Sequence, residues 1–272
     1  MGRIQLLSSD LNGTLVSEHT MSHMILLYIG KEQYAKANQV FQKQTQGQAT
    51  MAEAFSTAAP LTCSLTLRQA IEYTKTHMHY IPGFHDLITF LAQNHIPLII
   101  NSTGYSVTIY AIREQIGRDK IHGSIGNRLC FGLDGDVAQT LTEPELEQRV
   151  REYFTQDAVA QDPIYDRITA TGKIELGITD EAAKASLLLA YVHEHFPHIK
   201  PENIAHMGDT IGDLGGIVGI AEQGGTGIAF NYNTPLAAAL QQRMRKPLSG
   251  KIHLVDPKSE HADLRNILPI LK

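Results

Sequence analysis

The residues best suited to chemistry fall at the ends of short apolar runs. The most specific group is Gly208-Asp209-Thr210-Ile211-Gly212-Asp213, which follows the run Ile204 to Met207. Two aspartates four apart in a glycine-rich loop can bring one carboxylate onto a cation and set the second behind it. Hard oxygen ligands of this kind suit Mg²⁺ shared with a substrate phosphate. Asp10 likewise follows the first apolar run, in Ser9-Asp10-Leu11-Asn12-Gly13-Thr14-Leu15. A sharp turn at Gly13 and Thr14 can expose its carboxylate and nearby N–H groups, although an isolated pattern of this type is an Asx turn or a helix cap. Asn101-Ser102-Thr103-Gly104 closes another run. A hydroxyl of Ser102 or Thr103 beside the small Gly104 suits a phosphoryl oxygen, but such hydroxyls commonly do no more than cap the next helix. Lys184 stands in the first turn of a helical pattern that opens at Asp180. A cation there opposes the helix dipole at about 0.3–1 kcal/mol. A bound phosphate would offset that, and so would Asp180 and Glu181.

These positions need strands to end where they begin. Ile4–Leu7, Ile96–Ile100, Asn203–Met207, Thr226–Phe230 and Ile252–Val255 read as strands, several of them apolar on successive residues, as suits parallel strands buried on both faces. Helical patterns alternate with them: Gly83-Phe84-His85-Asp86 opens one, Asp180 to Phe196 is another, and Thr234-Pro235 starts a third with Thr as N-cap. The fold class expected is α/β, a doubly wound, mostly parallel sheet with ligands beyond the carboxyl ends of its strands. Residues 18–80 carry helical patterns without a convincing strand, and read as a helical domain inserted after the first strand and closed by Tyr80-Ile81-Pro82-Gly83. The core is then 1–17 and 81–272. Within it, about 123–178 forms an insertion containing a hairpin, Leu129 to Val137 with Asp134-Gly135 in its turn. Thr142-Glu143-Pro144-Glu145 is a capping box.

A chain of 272 residues, 43% hydrophobic, with a net charge of −5 can bury one sizeable core and a smaller unit. No polybasic stripe points to nucleic acid or an anionic membrane surface. The apolar start is too short for a signal peptide, and no run approaches a membrane span. Met1-Gly2-Arg3 begins like a myristoylation signal, but Leu6 stands where Ser or Thr is wanted. Cys63 and Cys130 lack metal-ligand spacing and are expected to be small packing residues in a reducing compartment, so the cytoplasm is the expected location. Oligomeric state is not legible. The histidine groups (His77 with His79; His193 with His195 and His198) have no third ligand at zinc spacing and read as surface residues. Gly224-Gly225-Thr226-Gly227 precedes a strand and reads as a turn rather than a phosphate loop.

Taken in order, strand-D-x-N-G-T, strand-S/T, helix-borne Lys and strand-G-D-x-x-x-D resemble the haloacid dehalogenase (HAD) superfamily over nearly the whole core. Asp10 to Thr14 match its first motif, Ser102 (less well Thr103) its second, Lys184 its third, and Asp209 with Asp213 its fourth. Pro82-Gly83 and Gly126-Asn127-Arg128-Leu129, with a helical cap between the first two motifs, resemble the phosphoserine phosphatase branch. Two departures stand out: the stretch from Ser102 to Lys184 is longer than that branch needs, and no cap pattern certifies a phosphoserine pocket. The resemblance implies phosphatase chemistry on a small phosphorylated metabolite, with that substrate left open.

By the same resemblance Asp10 is a nucleophile that becomes an aspartyl phosphate, and Mg²⁺ is held by Asp10, the backbone carbonyl of Asn12 and Asp209, with Asp213 behind. Ser102, Thr103 and Gly104 form the phosphate-binding stretch with Lys184. Asn12 replaces the acid/base Asp of the family's D-x-D. Its carbonyl can still bind metal, but its amide cannot donate and recover a proton, a loss worth typically about 10²–10⁴-fold. Three alternatives follow: a slow phosphatase, a dehalogenase or phosphonatase with its own cap residues, or a binding protein with vestigial chemistry. Lys173 is a rival to Lys184, placed in a strand-rich stretch less able to reach Asp10. Lys31, Lys36 and Lys43 of the cap are given no role.

Overall fold

Leu6 and Leu7 are neighbours in sequence yet lie in different apolar clusters, as do Leu98 and Ile99, and Ile204 and Ala205. Successive side chains of a strand point to opposite faces, so unbroken apolar runs mark a sheet covered on both sides. In the computed structural model, which describes residues 3–45 and 48–272, these runs build seven strands: β1 (Leu6–Ser9), β2 (Leu98–Tyr105), β3 (Ile121–Leu133), β4 (Ile168–Glu175), β5 (Ile204–Gly208), β6 (Thr226–Tyr232) and β7 (Lys251–Pro257). Their order is β4-β3-β2-β1-β5-β6-β7, antiparallel between β3 and β4 and parallel elsewhere. Strand order reverses at β1, which has β2 on one side and β5 on the other. The carboxyl ends of these three strands border the crevice where such sheets bind ligands.

Between β1 and β2 the chain forms α1 (Thr20–Tyr28), α2 (Lys31–Thr45), α3 (Met51–Ala58) and α4 (Leu67–Thr76), then α5 (Phe84–Gln93). Next come α6 (Ser106–Ile116), α7 (Glu143–Thr155), the short α8 (Asp157–Ala160) and α9 (Ile164–Arg167), α10 (Lys184–His195), α11 (Leu214–Glu222) and α12 (Thr234–Arg243). The fold is α/β with an inserted, mainly helical cap. Its apolar side chains, among them Met24, Ile25, Phe55 and Ile71, join one continuous cluster with Leu11, Leu15 and Tyr105 of the sheet region. The insertion is held at both connections, by an antiparallel bridge of Val16 with Tyr80 and by the Ile81 N–H donating to the Leu15 carbonyl at 3.0 Å. A third link reaches the far edge of the sheet: the Ala170 N–H donates to the Leu65 carbonyl at 2.8 Å, and Arg68 of α4 donates to Asp166 at 2.8 Å and to the Asp162 carbonyl at 2.8 Å.

Several local features differ from the sequence expectations. Asp134 and Gly135 do adopt the left-handed conformations a tight turn requires, φ 51° and 76°. Beyond a single bridge of Gly132 to Thr140, however, the chain enters α7, and the antiparallel partner of β3 is β4. The first half of β3 pairs with β2 and the second half with β4, so residues 123–178 extend the sheet instead of forming a separate hairpin. Asn101 to Gly104 lie within β2 rather than after it, because Asn101 and Tyr105 still register with Ile125 and Asn127 of β3. Asn233, not Thr234, caps α12 by accepting from the Leu236 N–H at 3.0 Å. Cys63 is exposed, whereas Cys130 is buried. The Thr142 capping box forms as expected. Met1 and Gly2 lie outside the described residues, as do positions 46 and 47.

His206 of β5 is fully buried, with Nδ1 3.0 Å from the Ser8 hydroxyl and Nε2 without a hydrogen-bond partner. Burial lowers its pKa to about 4. The unfolded chain, with the ordinary value near 6.5, therefore binds the proton more readily. The stability that neutral His206 contributes is present above about pH 6.5 and is lost as pH falls towards 4. The expected outcome for His206→Gln is an unfolding free energy that falls about 2 kcal/mol less between pH 7 and pH 5 than in the parent chain. Urea denaturation at the two pH values reads this directly; equal pH slopes would show that His206 is not the titrating group.

Candidate active site

The pairing of β1 with β5 puts Ser9 beside Met207, and the Asp10 N–H donates to the Met207 carbonyl at 2.8 Å. Asp10 thus emerges next to the Gly208-Asp209 turn. After Asp209 a single 3₁₀ turn, Ile211–Asp213, folds the second aspartate back. One Asp213 oxygen accepts from the N–H groups of Asp209 at 3.1 Å and Thr210 at 3.2 Å. A side chain at Gly208 would collide with the Asp213 carboxylate, so this loop closes only around glycine. Gly13, at φ 81°, meets the Asp209 carboxylate in the same way.

Lys184 is the first residue of α10, preceded by a 3₁₀ turn over Glu181–Ala183, so the helix starts later than the sequence pattern places it. Its carbonyl accepts from the Asn101 side chain of β2 at 3.1 Å, which fixes the helix start against the sheet. Its ammonium lies 3.0 Å from Asp10 and 2.5 Å from Asp213. These carboxylates answer the charge at the helix N-terminus. Oxygens of Asp10, Asp209 and Asp213 all lie within 4.8 Å of one another. The rival Lys173 is exposed on β4, at the sheet edge.

Water is nearly excluded: Asp10 is 6% exposed, Asp209 and Lys184 2%, and Asp213 and Ser102 1%. Burial pushes the Asp10 carboxyl up to about 6 even with Lys184 beside it. Burial, then the neighbouring carboxylates of Asp213 and Asp10, push Asp209 well above the usual range. Asp213 feels the same burial, but Lys184 and the backbone N–H of Thr210 hold it below that range. Burial works against the Lys184 ammonium, yet Asp10 and Asp213 outweigh it and hold its pKa above the ordinary value. Ionised together, the three carboxylates outnumber the buried ammonium, and Asp209, which accepts from the Thr14 hydroxyl at 3.3 Å, is the one Lys184 does not pair with. An all-oxygen donor set with that imbalance fits a hard divalent cation such as Mg²⁺.

The Ser102 side chain hydrogen-bonds to Asp10 and accepts from the Gly104 N–H at 3.1 Å. A Cβ at Gly104 would press on the Ser102 hydroxyl and the Asn12 amide nitrogen, so these groups share a narrow space that glycine leaves open. The register of β2 with β3 is irregular between Asn101 and Tyr105, so Ser102, Thr103 and Gly104 depart from simple strand alternation. The Thr103 carbonyl accepts from Asn127 at 3.0 Å. The Asn12 side-chain oxygen accepts from the N–H of Thr20, the first residue of α1, at 3.0 Å. His19, at the N-cap, supplies no such bond itself.

A cavity of about 360 Å³ abuts this cluster at Asn12, Gly13, Asp209 and Thr210, and runs out between the loops and α1 and α2. Residues the sequence reading did not single out help to build the site. Asn101 anchors Lys184. Asn231, held in the left-handed region at φ 51°, donates to the Gly13 carbonyl at 2.7 Å. The signal for Asn231 was available, as an Asn late in a buried run tolerates that conformation. The residues of α1 and α2 that face the cavity gave none.

No protein-family model matches the sequence, and comparison with curated proteins yields no relative. Comparison with solved structures does find the fold. A phosphoserine phosphatase carrying a phospho-aspartyl intermediate analogue is 16% identical, covers 100% of both chains and gives a TM-score of 0.65. A substrate-bound phosphoserine phosphatase is also 16% identical over 100% of both chains, at 0.66. A HAD family hydrolase from Salmonella enterica serovar Typhi is 13% identical, covers 98% of this chain and 70% of its own, and gives 0.66. This chain has the HAD hydrolase fold. Within it, the layout is similar to that of the phosphoserine phosphatases.

Removing one partner of a buried ion cluster leaves uncompensated charge, at about 3–5 kcal/mol. Lys184→Met is expected to lower the unfolding free energy at neutral pH by that amount in urea denaturation. A near-neutral result would show that the ammonium is not what balances Asp10 and Asp213.

Proposed function

We propose that this chain is a Mg²⁺-dependent phosphatase of small phosphorylated metabolites. The observation that carries the reading is the convergence of Asp10, Lys184, Asp209 and Asp213 in one water-excluded cluster at the sheet's switch point, with the Ser102 hydroxyl beside Asp10. Asp10 is the nucleophile: its carboxylate oxygen bonds to phosphorus as the bond from phosphorus to the leaving oxygen breaks. Ser102 and Lys184 hold the phosphoryl oxygens, with the Gly104 N–H beside Ser102, and Lys184 limits repulsion between Asp10 and an anionic substrate. Water then attacks the phosphorus of the aspartyl phosphate, freeing Asp10 and inorganic phosphate.

Asp10, Asp209 and the backbone carbonyl of Asn12 would hold Mg²⁺, with Asp213 acting from behind through the backbone of Asp209 and Thr210 and through Lys184. Bound there, the ion supplies charge neutralisation for the transferring phosphoryl group. The insertion over residues 18–80 acts as the cap that bounds the leaving-group side. Two free cysteines, Cys63 and Cys130, are compatible with a cytoplasmic setting. Among the described residues no helix is long and apolar enough to cross a membrane.

Asn12 decides how fast this chemistry runs. Its amide can hydrogen-bond to the leaving oxygen but cannot protonate it, so leaving groups that need no proton are favoured. The same residue supports a second reading, an impaired enzyme that retains a binding site. An aspartate at position 12 would still accept from the Thr20 N–H, so Asn12→Asp changes the chemistry while keeping that contact.

With p-nitrophenyl phosphate the parent chain is expected to turn over slowly and only with Mg²⁺. Asp10→Asn removes turnover, and Asn12→Asp raises it, by up to about 10²–10⁴-fold with esters of poorer leaving groups. Absence of metal-dependent turnover in every version would sink the enzyme reading in favour of the binding one. Independently of activity, Mg²⁺ at millimolar concentration is expected to raise the melting temperature of the parent chain and to do so less in Asp209→Asn; equal shifts would place the ion elsewhere.

A further inference from the structure

The cavity beside the cluster has an outer wall of unusual uniformity. Ser22 of α1, Asn38, Phe41 and Gln42 of α2, and His19 at the start of α1 form it. His19 is tied to Ser22, with its Nδ1 3.2 Å from the hydroxyl, and its ring lies against Phe41 at a centroid distance of 4.5 Å. Hydroxyl and carboxamide side chains both donate and accept hydrogen bonds, as do the hydroxyls of a polyol. The two rings, tilted 36° to each other, put aromatic carbon beside these polar groups.

Charge is confined to the inner end. Among the described lining residues Asp209 is the sole carboxylate and Lys258 the sole ammonium or guanidinium, and Lys258 acts on the Asp209 carboxylate. Several charged groups of the helical insertion are engaged away from the cavity. Lys36 pairs with Glu32 at 2.7 Å, Lys75 with Glu72 at 2.9 Å, and Arg68 with Asp166. An amino-acid ester would bring an ammonium and a carboxylate to a wall with no partner for either, and unpaired charges are costly to desolvate. A volume of about 360 Å³ is of the size that takes one small metabolite.

We propose that the site takes phosphate monoesters of uncharged, hydroxyl-rich alcohols, polyols or sugars, in preference to those of amino acids or hydroxy acids. This rests on the phosphatase reading above and names the leaving group that reading leaves open. The cluster at Asp10 handles the phosphoryl group, and the α1–α2 wall sorts alcohols by hydrogen bonds.

The test is phosphate release by the full chain and by Asn12→Asp, with Mg²⁺, from glycerol phosphate, a hexose phosphate, phosphoserine and phosphoglycerate, with p-nitrophenyl phosphate as the reference. The expected result is a kcat/KM for glycerol phosphate or the hexose phosphate at least about tenfold above phosphoserine and phosphoglycerate. Asn38→Leu and Gln42→Leu should each lower the ratio of the preferred ester to p-nitrophenyl phosphate by about tenfold, the change that follows from losing one hydrogen bond to the leaving group. Preference for phosphoserine or phosphoglycerate, or ratios unmoved by both substitutions, overturns the proposal while leaving the phosphatase reading intact. No turnover of any ester, reference included, overturns both.

Discussion

The Lys184 ammonium is buried between Asp10 and Asp213, with Asp209 completing the cluster, and holding such charges away from water is tolerable only where geometry is fixed. Much of the surrounding structure serves that requirement. The register of β1 with β5 sets Asp10 beside the Asp209 loop, and Asn101 pins the start of α10 so that Lys184 arrives from the opposite side. Gly13 and Gly208 let backbone close onto the carboxylates, and Asn231 accepts a left-handed backbone to secure the Gly13 carbonyl. Strain and tight contacts gather where charge is most crowded, as expected of a site whose groups are held in advance of their ligand.

Asn12 joins this cluster to the helical insertion. Its oxygen accepts from the first N–H of α1, and its nitrogen lies by the space that Gly104 leaves near Ser102. An aspartate would make the same contact with Thr20 and add another negative charge to a group already short of positive ones. An amide therefore fits the static electrostatics well and fails only at moving a proton.

The site was legible in the sequence because most of its members sit at strand ends, where an apolar run followed by glycine, a hydroxyl or an aspartate is a local pattern. Asp10, Ser102, Asp209 and Asp213 were found that way, Lys184 from the first turn of a helical pattern, and the structure brings them together. Sequence does not show that β2 continues through Gly104, a fact set by pairing with β3. The hairpin at Asp134-Gly135 misled for a related reason. Its turn chemistry is real, but which strand pairs with β3 depends on a distant segment, residues 168–175. Asn101 and the cavity wall went unread because their roles depend on contacts between elements far apart in the chain.

The two halves of the site are consequently built by different means. The carboxylates of the cluster come from the ends of adjacent strands, whose positions are locked by sheet register, and its ammonium from the start of α10. The wall of the cavity comes from α1 and α2, which carry no comparable constraint on residue type. The insertion that carries those helices is nonetheless tied to the core at three places: the Val16–Tyr80 bridge, the Leu65–Ala170 hydrogen bond and the contacts of Arg68 of α4 with residues 162 and 166. A wall anchored in this way presents fixed hydrogen-bonding groups, and a site of fixed polar groups discriminates most strongly against molecules that leave them, or themselves, unpaired.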